Sequence, residues 1–136
     1  MAGTARTKAR KRALDLIYAS EMRNRSAVDA LAEQAEGGQV NDYTVELVRG
    51  VTEHQARLDE VISAYVQGWT LDRMPAVDRN VLRLATYEVL YVDDVPDAVA
   101  VSEALNLVRD LSTDESPAFV NGVLGNIVRD RETLAG

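Results

Sequence analysis

The chain has 136 residues, 46% apolar and 27% charged, a globular composition long enough for one domain that buries roughly 65–70% of its unfolded surface. No run of 18 apolar residues offers a membrane span, and the absence of cysteine excludes disulfides, thiolate metal sites and cysteine nucleophiles. The net charge of −7 averages two opposite parts: residues 1–25 carry a net +5 and residues 26–136 a net −12, which calls for a polyanionic partner at one end and a basic one elsewhere.

Apolar spacing is helical almost throughout. Leu14, Ile17, Tyr18 and Met22 fall at i, i+3, i+4 and i+8, a stripe on a first helix from about residue 5 to 24. Ser26-Ala-Val-Asp29 reads as the capped start of a short second helix, which Gly37-Gly38 ends. Asn41 or Asp42 then caps a long third helix whose apolar positions run from Leu47 through Leu58, Ile62 and Tyr65 to Val66 and Trp69. Pro75 opens a fourth, apolar on most sides from Val77 to Leu90 and therefore central. Pro96 opens a fifth through Val99, Leu105 and Leu111, and Pro117 a sixth through Val120, Leu124 and Ile127. No segment has the period-2 alternation of a half-buried strand. The expectation is an all-α fold of six or seven helices in a single domain over residues 1–136, with residues 1–12 a basic arm merging into the first helix.

The arm holds Arg6, Lys8, Arg10, Lys11 and Arg12. Five cations near a helix N-terminus oppose the macrodipole by about 0.3–1 kcal/mol each, so local rules disfavour them and phosphate binding gives a reason to keep them. No heptad zipper follows the arm, and a basic helix with an aromatic elsewhere for stacking suits single-stranded RNA better than a DNA groove. Phe119, the only phenylalanine, lies in the first turn after Pro117, near Ser116 and Glu115; it is either core or a stacking platform. His54 falls near the buried stripe of the third helix with no activated nucleophile beside it. Asp93-Asp94 with Asp97, and Glu53 with Asp59-Glu60, suit capping and solvation, and no phosphate-cradling loop is present. The reading is no enzyme, no catalytic residue, no metal and no cofactor. Gly50, Gly122 and Gly125 within helical patterns suggest close helix–helix approach.

Four blocks in order carry a family resemblance. Ala5-Arg6-Thr-Lys8-Ala-Arg10-Lys-Arg12-Ala13-Leu-Asp-Leu-Ile-Tyr18 resembles the N-terminal signature of the NusB transcription antitermination family. Val77-Asp-Arg-Asn-Val-Leu-Arg83-Leu-Ala-Thr-Tyr87-Glu88 and Asp94-Val-Pro96-Asp-Ala-Val-Ala-Val-Ser-Glu103-Ala104 resemble its central blocks. Asp114-Glu-Ser116-Pro-Ala-Phe119-Val-Asn121-Gly122-Val-Leu124 resembles its C-terminal block, and the join from Trp69 to Pro75 looks actinobacterial. The resemblance implies two packed three-helix bundles and a cytoplasmic protein that binds boxA RNA of ribosomal RNA leaders together with NusE, a basic small-subunit ribosomal protein. RNA polymerase then reads through terminators. It assigns RNA contact to Arg6, Lys8 and Arg10, with Lys11 and Arg12 adjacent, and to Phe119 with Glu115. NusE contact falls to Tyr18 and Asp78. Thr7 and Pro117-Ala118 depart from the family's usual pattern. Two other readings follow from the same resemblance: a stand-alone module similar to the N-terminal domain of ribosomal-RNA cytosine methyltransferases, and a homodimer that occludes the RNA face.

Overall fold

The computed structural model describes residues 4–68 and 70–135, and among them the regular structure is entirely helical. The helices are α1 (Thr4–Met22), α2 (Ala27–Glu36), α3 (Asp42–Tyr65), α4 (Ala76–Tyr91), α5 (Asp97–Leu111), α6 (Ser116–Arg129) and the short α7 (Arg131–Ala135), with a 3-10 turn at Leu71–Arg73 before α4. The chain divides into two compact units, Met1–Glu53 and His54–Gly136, and α3 runs from the first into the second.

In the first unit the helices begin and end where local chemistry directs. Asn24 takes a left-handed φ of 53° after α1, and the Arg25 N–H donates back to the Ser20 carbonyl at 2.9 Å, closing the helix in the manner that satisfies its last carbonyls. The Ser26 hydroxyl accepts from the Asp29 N–H at 3.3 Å, the cap expected from Ser26-Ala-Val-Asp29. Asn41, not Asp42, caps α3: its side-chain oxygen accepts from the Tyr43 N–H at 2.7 Å. Ala13, Leu14 and Ile17 of α1, Leu31 of α2, and Leu47, Val48 and Val51 of α3 are buried. The stripe expected on α1 is only half right. Leu14 and Ile17 are in the core, whereas Tyr18 is 38% and Met22 52% exposed; Ala9, Ala13, Leu16 and Ser20 take the inner face instead.

In the second unit α4, α5 and α6 pack pairwise as a three-helix group, and α7 lies against α4 and α6. α4 is buried along most of its length, as its apolar run demanded, with Val81, Leu82, Leu84, Ala85 and Val89 in the core. It also buries Asp78, Asn80, Arg83, Thr86 and Glu88; the charged groups must be paired to be tolerated, whereas the Thr86 hydroxyl is buried without a hydrogen-bond partner among the described residues. Arg83 meets Asp59 of α3 through two bonds, Nε to Oδ1 at 2.7 Å and Nη2 to Oδ2 at 3.0 Å, and its Nη1 donates to Asn80 at 3.0 Å. The Tyr65 hydroxyl donates to Asp130 at 2.7 Å. Asp130 is held below the usual carboxylate range, first by its bond from Arg129 and then by Tyr65. His54 is half-buried and stacks on Tyr91, ring centroids 4.2 Å apart.

Two further expectations need correction. α3 stops at Tyr65 and does not reach Val66, because the chain turns through Gly68 at a left-handed φ of 76°, a conformation that glycine adopts without strain and that no helix continues; Trp69, assigned to the same helix, lies outside the described residues. Gly122 and Gly125 make no close approach: a Cβ added at either meets nothing within 4 Å. Alanine at these exposed helical positions therefore removes backbone freedom from the unfolded chain without a clash. Gly122→Ala and Gly125→Ala should each raise stability by about 0.5–1 kcal/mol, read as an increase in the urea midpoint.

Candidate nucleic-acid interface

The arm is helical from Thr4, so its cations take fixed directions. Lys8 and Arg12, four residues apart, lie on one face and line a concavity of about 550 Å³ with Ala5, Ala9 and the α2–α3 connection at Gln39, Val40 and Asn41. Thr44 closes this site from α3, its hydroxyl donating to the Ala9 carbonyl at 3.1 Å. Arg12 also donates to the Gln34 side chain. Lys11 points elsewhere, in an exposed pair with Asp15 at 2.7 Å, an i,i+4 contact of the kind that contributes a few tenths of a kcal/mol.

Arg6 and Arg10 form a third group. The Arg6 guanidinium sits 4.3 Å from the centroid of the Tyr43 ring and that of Arg10 5.6 Å from it, both within cation–π reach. Arg6 is half-buried, but Arg10 is only 4% exposed. The five cations of the arm thus divide: Lys8 and Arg12 on a concave surface, Lys11 in a surface pair, and Arg6 and Arg10 packed against an aromatic ring. Sequence reasoning did not find Tyr43, because no local signal links it to an arm more than thirty residues earlier.

The second candidate surface lies within the second unit. Phe119 is half-buried and lines a cavity of about 410 Å³ with Glu115, Thr113, Ser116, Asp78, Met74 and Pro75. The two residues assigned to the RNA path, Glu115 and Phe119, are therefore together, at the start of α6. An aromatic ring beside a carboxylate and hydroxyls suits a nucleobase, which stacks through its face and donates through exocyclic N–H groups. Asp78 belongs to the same cavity but is only 2% exposed; its oxygens accept from Ser112 at 2.6 Å and Ser116 at 2.8 Å. Ser112 was not among the sequence candidates. Tyr18 stands on the first unit, with Met22 the other exposed large apolar side chain of α1. Among the described residues no group of three or more His, Asp or Glu side chains is placed to hold a metal ion, and no helix is long and apolar enough to cross a membrane.

Comparison with known proteins accords with this geometry. The NusB family model matches residues 7–129. The chain is 68% identical over 134 residues to the transcription antitermination protein NusB of a Nocardioides species, covering 97% of this chain and 99% of that protein. It is 34% identical to T. maritima NusB, with a TM-score of 0.84 over 93% of this chain and 92% of that one. The NusB chain in a structure of antitermination factors NusB and NusE with double-stranded RNA shares the fold at 24% identity, with a TM-score of 0.79 over 91% of this chain and 96% of that one. A helical arm, a cavity at the start of α6 and a match along nearly the whole length converge on one assignment: the chain belongs to the NusB family.

Proposed function

We propose that this protein acts in transcription antitermination by binding single-stranded boxA RNA of ribosomal RNA leaders together with NusE, so that RNA polymerase reads through terminators. It is a binding protein of the cytoplasm without chemistry of its own. The observation that carries the reading is the placing of Lys8 and Arg12 together along one concavity beside α1, two cations able to neutralise phosphates, in a chain 68% identical to an antitermination protein. Glu115 and Phe119 supply what phosphates cannot, contact with a base. Arg6 and Arg10, stacked on Tyr43, fix the course of α1, and Arg6 adds positive charge at its edge. Tyr18 and Met22 offer an exposed apolar strip to NusE, and the acidic body complements a basic ribosomal protein.

A gel shift with boxA RNA and a scrambled RNA of equal length, with and without NusE, tests this. Tighter binding to boxA, strengthened by NusE, is the expected result. Equal affinity for both RNAs would reduce the arm to a nonspecific polycation and overturn the proposal.

A further inference from the structure

The family resemblance assigns Asp78 to contact with a basic ribosomal protein, yet both oxygens of its carboxylate are engaged inside the protein. Oδ1 accepts from the Ser112 hydroxyl and Oδ2 from the Ser116 hydroxyl. Ser112 is the last cap of α5 and Ser116 the first residue of α6, so one side chain from the first turn of α4 holds both ends of the α5–α6 connection. The protons are fully accounted for. With its own proton on Asp78, the Ser116 oxygen is left to accept from the Thr113 N–H at 3.2 Å and the Thr113 hydroxyl at 2.8 Å. A negative charge at the start of α6 also complements the helix dipole.

From this geometry we infer that Asp78 is a positioning residue for the base-contacting end of α6: through Ser112 and Ser116 it sets the orientation of Glu115 and Phe119. This deepens the RNA-binding proposal and rests on it. Glu115 stands immediately before Ser116 and Phe119 one turn after, so a loose Ser116 displaces both. Without the carboxylate, Ser116 keeps only partners within the α5–α6 connection itself, Thr113 and the Ser112 oxygen 3.0 Å away, and the connection loses its hydrogen bonds to α4.

Asparagine separates positioning from charge. Its carbonyl can accept from Ser116 while its amide donates to Ser112, which keeps the shape and removes the charge. Phe119 is the only phenylalanine in the chain, so incorporation of fluorophenylalanine places one 19F reporter at the site. Asp78→Ala should shift or broaden that resonance and weaken boxA RNA binding about tenfold. The salt slope should stay unchanged, since no phosphate contact is removed. Asp78→Asn should restore most of the lost affinity and the wild-type resonance. Ser112→Ala, which leaves the buried carboxylate in place, should move both readouts in the same direction by less, and it decides the matter if Asp78→Ala does not fold. The inference is overturned if the alanine variants leave the resonance unmoved, or if Asp78→Asn loses as much RNA affinity as Asp78→Ala. If the wild type fails to distinguish boxA from scrambled RNA, the base-contact reading falls, and the 19F response alone supports or overturns the positioning role.

Discussion

Lys8→Ala combined with Arg12→Ala should weaken boxA RNA binding about 25-fold at 0.1 M salt and flatten its salt dependence. Each phosphate contact on a single strand contributes about 0.7 to the slope of log K against log salt, so two lost contacts lower it by about 1.4. The same 1.4, taken over the decade from 1 M to 0.1 M, is the 25-fold loss. Fluorescence anisotropy across a salt series measures both quantities at once. Arg10→Ala is the control: with its guanidinium buried beside Tyr43, it should lower stability and leave the slope unchanged. A slope that falls as much for Arg10→Ala as for Lys8→Ala would mean that the division of the arm into presented and packed cations is wrong.

The second large effect concerns stability. Arg83→Ala should cost about 3 kcal/mol, because it removes both bonds to the Asp59 carboxylate and the one to Asn80. The value sits at the low end for a broken buried pair because Asp59 keeps 27% of its side chain in water while Arg83 keeps 8%. For a urea m-value of about 2 kcal/mol/M the midpoint falls by about 1.5 M, with the slope itself unchanged. Replacing both partners, Arg83→Met with Asp59→Leu, should be less damaging than the single change, since the Asp59 carboxylate is then not left without its guanidinium. A double variant as unstable as Arg83→Ala alone would instead assign the loss to packing along α4.

The helices were largely legible before the structure. Pro75, Pro96 and Pro117 each mark a helix start, Ser26 is a cap, and the apolar run of α4 is buried. These features are local: a cap or a proline acts on residues within one turn, and an apolar run reports its own environment. The end of α3 was missed because the apolar spacing continues through Val66 after the backbone has left the helix on the way to Gly68. Periodicity cannot register a change of backbone conformation that leaves the apolar pattern intact. The inner face of α1 differs from the expected stripe at Tyr18 and Met22: small residues (Ala9, Ala13 and Ser20) pack inward and these larger side chains stay exposed.

The site shows the same division. The opposed charges of residues 1–25 and 26–136, the phenylalanine after Pro117 and the ordered blocks of residues were all present in the chain as written, because charge, composition and spacing need no fold to be read. Which cations of the arm are presented was decided by Tyr43, and whether Asp78 is exposed was decided by Ser112 and Ser116, each more than thirty positions away. By itself the sequence determined that a basic helix and an acidic body exist. Only tertiary structure decided which of those charges face solvent, because burial and pairing depend on residues that meet in space and not along the chain.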